Sequence, residues 1–185
     1  FIRKNKINAF FYLDDQYPSR LKHCPDSPVM VYYKGTADLN AQKIVSVVGT
    51  RTPTEYGKKL TEQLIEGMKD HGILVVSGLA YGIDVYAHKL SLNAGLETVG
   101  VVAHGLDRIY PQAHASVATK MKTQGGILTD FISGTNPDRE NFPKRNRIVA
   151  GMCDALIVIE SKKEGGSLIT AEIANSYSKD VFAFP

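Results

Sequence analysis

Ile73-Leu-Val-Val-Ser-Gly-Leu-Ala-Tyr-Gly-Ile-Asp-Val-Tyr-Ala-His-Lys-Leu-Ser-Leu-Asn-Ala94 passes from a short apolar run through a glycine-rich turn into a segment of helical composition, which Gly95 stops. An apolar run without polar alternation is the mark of a strand buried on both faces, as happens where helices cover a parallel sheet from either side. The same unit recurs along the chain. Strands are expected at Ile44–Val48, Ile73–Ser77, Thr98–Ala103, Gly126–Asp130, Ala155–Ile159 and Val181–Phe184. Helices are expected at Glu55–His71, capped by Thr54 and stopped by Gly72, and at Asp84–Ala94, with Asp84 as N-cap. Gln112–Gln124, Arg145–Met152 and Leu168–Ser178 supply three more. The fold class is α/β, a Rossmann-like, mainly parallel sheet flanked by helices on both faces.

Residues 1–43 break this pattern, with tyrosines and Pro18, Pro25 and Pro28 around one apolar run, Val29–Tyr33, that ends at Gly35. They read as a lead-in segment packed on the core, with an added strand, ahead of a Rossmann-like domain at 44–185. With 185 residues, 43% of them hydrophobic and 22% charged, one main domain with a sizeable core is expected. The chain opens at Phe1 without methionine and stops at Phe184-Pro185 straight after an apolar run, so it reads as a fragment truncated before a further domain. Cys24 and Cys153 belong to no CxxC or His-rich spacing, which argues against a disulfide framework or a zinc site and fits a reducing cytoplasm. No apolar run approaches the ~20 residues that span a bilayer, so no membrane association is expected.

The charge is placed rather than spread. Arg139-Glu-Asn-Phe-Pro-Lys-Arg-Asn-Arg147 holds four basic side chains against one acid, a local +3 equal to the net charge of the whole chain. A cationic cluster with a phenylalanine inside it has the chemistry to hold a phosphate backbone and stack a base.

In an open parallel sheet the ligand site lies beyond the carboxyl ends of the strands, where glycine turns let backbone N–H groups face an anion. Gly49-Thr50-Arg51, Ser77-Gly78 through Gly82, His104-Gly-Leu-Asp107 before Tyr110-Pro111, and Glu160 through Gly165-Gly166-Ser167 all follow expected strands. The cations Arg51, Arg139, Lys144, Arg145, Arg147, Lys162 and Lys163 are expected on the same rim. Gly165-Gly166-Ser167, opening a helix with Thr170 close by, is a candidate phosphate cradle. Neither GxGxxG nor a P-loop GK[ST] is present, so dinucleotide binding and Walker-type ATPase activity are unsupported. Asp84 and His88, four apart, read mainly as a cap and a packed histidine. The scattered histidines make no metal pattern, and no nucleophile elbow or other catalytic constellation is evident. No metal or cofactor is expected.

Taken in order, the motifs resemble the DNA-processing protein family DprA/Smf over nearly the whole chain. The matching residues are Tyr17-Pro18, Pro28 through Gly35, Val48-Gly-Thr-Arg51, Ser77-Gly-Leu-Ala-Tyr-Gly-Ile-Asp84, Gly105-Leu-Asp107 with Tyr110-Pro111, Phe142-Pro-Lys-Arg-Asn-Arg-Ile148, Gly166-Ser-Leu-Ile-Thr-Ala171 and Val181-Phe-Ala-Phe-Pro185. The resemblance implies an extended Rossmann fold, single-stranded DNA bound in a basic pocket, transfer to the RecA recombinase in natural transformation, and homodimerisation through the last helix and strand. It also implies that Arg51 grips phosphate, Phe142 stacks or wedges at a base, and Arg145, Asn146 and Arg147 form the pocket wall. Arg139 takes the place of a basic residue three before the phenylalanine, and Lys179 that of one before the final strand. The chain departs from the family pattern in having Gly-Thr-Arg for Gly-Ser-Arg and Gly-Gly-Ser-Leu for Ser-Gly-Ser-Leu. The alternative is an enzyme or nucleotide sensor, since Glu164 through Glu172 also resembles the PGGxGTxxE loop of LOG-type nucleotide phosphoribohydrolases, with its spacing shifted by one residue.

Overall fold

The structure, a computed structural model, describes all residues from Phe1 to Pro185. Along the chain run β1 (Asn8–Phe11), α1 (Ser19–Lys22), β2 (Met30–Gly35), β3 (Lys43–Val48), α2 (Glu55–Met68), β4 (Ile73–Ser77), α3 (Ile83–Asn93) and β5 (Thr98–Val101). A 3-10 turn at Gln112–His114 leads into α4 (Ala115–Met121), followed by β6 (Gly125–Thr129), α5 (Asn141–Gly151), β7 (Ala155–Val158), α6 (Gly166–Ser176) and β8 (Asp180–Ala183). One eight-stranded sheet results, in the order β1-β2-β6-β5-β4-β3-β7-β8. From β6 to β8 every pairing is parallel, whereas β1 and β2 join antiparallel. Burial follows position: β5 and β6 are buried at every residue and β4 at all but its first, while the outer strands β1 and β8 are largely exposed.

From β3 the chain winds outward through β4 and β5 to β6, then returns to lay β7 on the other side of β3. The strand order therefore reverses between β3 and β7. Loops leaving the carboxyl ends of neighbouring strands diverge at such a point and open a crevice.

Residues 1–43 contribute more than the one strand expected of them, because β1 pairs on β2 and both extend the sheet beyond β6. Tyr17, Leu21, Val31 and Tyr33 are buried in the same apolar cluster as Ile44, Val99, Leu128 and Leu156. A bidentate ion pair fixes this segment to the far side of the molecule. Arg20 Nε and Nη2 donate to the two oxygens of Asp154 at 2.7 and 2.8 Å, and the Ile44 N–H donates to the same carboxylate at 2.8 Å. Burial works to raise the Asp154 pKa, but the Arg20 guanidinium and the Ile44 N–H outweigh it and hold the carboxyl below its usual range. A depressed carboxyl pKa contributes stability above the unfolded value of ~3.9 and loses it as the pH falls through the folded value. Asp154→Asn is accordingly expected to lower stability by about 1 kcal/mol at neutral pH. The difference from the unsubstituted chain should vanish in strong acid, which urea unfolding at both pH values measures.

Several boundaries differ from expectation for local reasons. Helix α2 ends at Met68, short of His71, because Asp70 turns left-handed at φ 63° and Gly72 at φ 64°. Helix α3 begins after Gly82, so Asp84 is no N-cap but a buried first-turn residue. Helix α5 begins at Asn141 rather than Arg145, which puts Pro143 in the first turn, where its missing N–H leaves no helical bond unmade.

Candidate nucleic-acid interface

Three turns pack against one another at the carboxyl end of the sheet. The Thr50 N–H donates to the Glu160 carbonyl at 2.7 Å, linking the loops after β3 and β7 across the reversal point. The Ile83 N–H donates to the Thr50 carbonyl at 3.1 Å, linking the loops after β3 and β4. Gly82, at φ 81°, makes the second contact possible: a Cβ there would lie 2.1 Å from the Thr50 oxygen and 2.6 Å from the Arg51 Cα. Arg51 thus stands exposed on a loop clamped from both sides. Its guanidinium carbon lies 5.9 Å from the centre of the half-buried Phe142 ring, within cation–π reach. The Tyr110 ring lies 6.2 Å from Phe142 on the other arm of the rim.

The linear charge cluster is divided between exposed and engaged side chains, with Arg139 and Lys144 exposed and Arg145 and Arg147 bonded within the chain. Arg145 is only 4% exposed, with Nη1 donating to the carbonyls of Gly78 and Val101 and Nε to Asn146 Oδ1 at 3.2 Å. Burial, with help from the Arg51 charge, pulls its pKa down to about 10 against the opposing pull of Asp84, so it is charged at neutral pH. Asp84 is buried opposite it, its pKa raised by burial and restrained by the Arg145 charge and the Ala80 N–H. Both groups crowd Gly78, where a Cβ would come within 2.5 Å of Arg145 Nη1 and of Asp84 Oδ2. Arg145 therefore braces the underside of the rim, its guanidinium buried against the Gly78 and Val101 carbonyls.

Arg147 is engaged as well. Its Nη2 donates to Asp130 at 2.5 Å and its Nη1 to the Asp26 carbonyl, which ties α5 to the end of β6 and to the lead-in segment. Lys144 is exposed and stands 3.9 Å from Glu140, one helical turn back. Asn146 is half-buried and accepts from Arg145. Lys179 precedes β8 and so lies at the amino end of the sheet, close enough to Asp154 to lower its pKa, away from the rim. Exposed cations are thus Arg51 at the reversal point, Arg139 and Lys144 before and within the start of α5, and Lys162 and Lys163 on the loop after β7.

The candidate phosphate cradle is divided in the same way. Gly49, Thr50, Gly78 and Gly82 build the clamped turns, but Ser77 is wholly buried and its hydroxyl donates to the Val47 carbonyl at 2.6 Å. Gly165 caps α6 and Gly166 opens it. The Ser167 hydroxyl bonds Ser161 Oγ at 2.8 Å, and Thr170 bonds the Gly166 carbonyl at 3.2 Å, so both are engaged within the chain. The N-terminus of α2, the first strand-to-helix turn, is filled by the chain's own Glu160 carboxylate, which accepts from the Thr54 N–H at 3.0 Å and the Thr54 hydroxyl at 3.2 Å.

Buried histidines support the rim rather than line it. The Thr98 hydroxyl donates to the Val75 carbonyl at 3.0 Å and so accepts from His88 Nδ1 at 2.7 Å. Burial pushes the His88 pKa down to about 3, leaving a neutral core residue. His104 accepts the Tyr110 N–H at Nε2, 3.1 Å, while its Nδ1 faces the Gly105 carbonyl at 2.9 Å. Asp107, quoted in the sequence only as a rim residue, accepts from the Gly134 N–H at 2.8 Å and joins the loops after β5 and β6. That N–H is the main reason its pKa falls to about 2.

Fold and rim together define a Rossmann-like α/β protein whose reversal point carries an exposed arginine against an aromatic ring instead of a dinucleotide-binding turn. The family model of DNA recombination-mediator protein A matches residues 8–185, and the chain belongs to that family. It is 41% identical over 180 residues to the DNA processing protein DprA of Streptococcus pneumoniae, covering 97% of this chain and 64% of that relative. It is 38% identical over 184 residues to DprA of Bacillus subtilis, covering 99% of this chain and 62% of the relative. The chain therefore spans a little under two thirds of these relatives. The X-ray structure of the S. pneumoniae protein superposes with a TM-score of 0.92 over 97% of this chain and 63% of that one, at 41% identity. DNA processing protein A of Helicobacter pylori, whose structure concerns its single-stranded DNA binding mode, gives 0.88 at 28% identity over 97% of this chain and 81% of that one. A molybdenum cofactor binding protein of Rippkaea orientalis, 18% identical with a TM-score of 0.57 over 78% of this chain and 77% of that one, shares the fold alone. No helix of the chain is long and apolar enough to cross a membrane.

Proposed function

We propose that the rim binds single-stranded DNA without catalysing a reaction on it, with Arg51 and Arg139 on the phosphates and Phe142 against a base. The observation that carries this reading is the seat of Arg51 over Phe142 at the strand-order reversal, which offers a charge for the backbone and a face for a base at one place. The binding described for the H. pylori relative supports it. In the fuller form of the proposal, the chain protects incoming strands in the cytoplasm and passes them to the RecA recombinase during natural transformation. It does so as a homodimer joined through α6 and β8. The outer strand β8 supports that contact, since it leaves one edge unpaired and exposes Phe182, with Phe184 exposed just after it and Ile169 exposed on the adjacent α6. The nucleotide phosphoribohydrolase alternative gains no such support, because the cradle hydroxyls are engaged internally and a carboxylate fills the first helix N-terminus.

Salt titration with labelled oligonucleotides tests the reading. For single strands the logarithm of affinity should fall with that of salt at a slope of about −0.7 per phosphate neutralised. Arg51→Ala should make that slope shallower by about one contact and weaken unrelated sequences about equally. Affinity for duplex DNA equal to that for single strands would sink the reading.

A further inference from the structure

We infer that Tyr110 is a second stacking ring beside Phe142, so that the rim holds two neighbouring nucleobases of one strand rather than a single base. The inference rests on the single-strand reading above. It begins from how this chain treats its nine tyrosines. Five have their hydroxyls bonded within the protein: Tyr12 to Lys22, Tyr17 to Pro28, Tyr33 to Gly125, Tyr86 to Glu62 and Tyr177 to Asp26. The Tyr110 hydroxyl has no partner in the chain, and the residue is 46% exposed. Of the exposed tyrosines, Tyr81 sets its ring edge-on to the buried His114 at 4.9 Å, whereas only Tyr110 meets Phe142.

The placement of Tyr110 is fixed through its backbone while its ring stays bare. Its N–H is held by Nε2 of His104, a residue 1% exposed. The loop that carries it is stapled to the next one by Asp107 on the Gly134 N–H and by the Gly105 N–H on the Thr135 carbonyl at 3.2 Å. That next loop runs into α5 and delivers Phe142. Both rings therefore sit on one braced frame, and a ring fixed before the ligand arrives loses little conformational freedom on binding. At 59° to each other they do not cover one another's faces, so each keeps a surface to offer. Arg51, over Phe142, supplies the charge for the connecting phosphate. An exposed aromatic ring that neither packs into the core nor bonds its hydroxyl is what a sequence-tolerant base platform requires, since every base has a π-face.

The test compares an oligothymidine with an abasic oligomer of equal length, using the full chain and fluorescence anisotropy. Loss of one base–aromatic stack corresponds to a drop of roughly 5- to 150-fold in affinity. Tyr110→Ala should show that drop on the oligothymidine and leave the abasic oligomer unchanged, Tyr110→Phe should retain affinity, and Tyr110→Leu should not restore it. Arg51→Ala, by contrast, should weaken both oligomers. Equal weakening of both by Tyr110→Ala, full affinity in that variant, or rescue by leucine would each overturn the inference while leaving single-strand binding standing. Failure of the unsubstituted chain to bind either oligomer would bring down the single-strand reading and this inference with it.

Discussion

Arg145→Leu is expected to destabilise the chain by about 3–5 kcal/mol, the range for removing one partner of a buried charge pair, seen as a lowered urea midpoint. The guanidinium lies beneath the rim, where Nη1 serves two carbonyls from different strand ends, Gly78 and Val101. Leucine would leave both acceptors without that donor and the buried Asp84 without its counter-charge. Lysine should rescue only in part, because one ammonium cannot reproduce a planar fork that also reaches Asn146. Asp84→Asn should destabilise as well. Combined with Arg145→Leu it should cost less than the sum of the two, since the second change removes a charge that the first has stranded. Stability within about 0.5 kcal/mol of the unsubstituted chain, the usual range for surface changes, together with lost oligonucleotide affinity, would instead place Arg145 in the wall of the DNA pocket.

The parallel core was legible because its strands are largely apolar and those from β3 to β7 are each followed by a glycine-containing turn and a helix. Strand β1, the four residues Asn8–Phe11, offers no such run, and its place at the sheet edge is set by pairing with β2 rather than by any local pattern. The site was legible in outline: Gly49, Arg51, Gly82 and Phe142 do come together. How the +3 cluster divides was not legible, because charge counted along the chain does not show that from Asn141 these residues form a helix, which sends successive side chains to different surroundings. On α5, Phe142 and Arg145 stand three apart and face the rim and its underside, while Arg147 turns to Asp130. The Asp84–Arg145 relation joins residues far apart in sequence through burial alone, and no local periodicity announces it. Lys179 is a different case, since a residue that precedes a parallel strand must lie at the amino end of the sheet, opposite the rim loops.

Gly82→Ala is expected to lower stability by roughly 2–5 kcal/mol, summing backbone strain with overpacking against neighbouring main chain, and to weaken oligonucleotide binding at the same time. The two effects share one cause. Gly82 has φ 81° and ψ −130°, a conformation alanine resists, and the added methyl would sit 2.1 Å from the Thr50 oxygen and 2.6 Å from the Arg51 Cα. Those are backbone atoms, so relief requires the turn that carries Arg51 to move away from α3 and from its seat over Phe142. Gly95→Ala provides the control, because Gly95 has the same φ of 81° but nothing within 4 Å of an added Cβ. That variant should cost only the strain, about 1 kcal/mol, and bind oligonucleotides normally. Equal losses of stability in the two variants, with affinity intact in both, would show that contact between the turns after β3 and β4 is not what holds the arginine in place. Urea unfolding and anisotropy titrations on the same preparations would distinguish the outcomes.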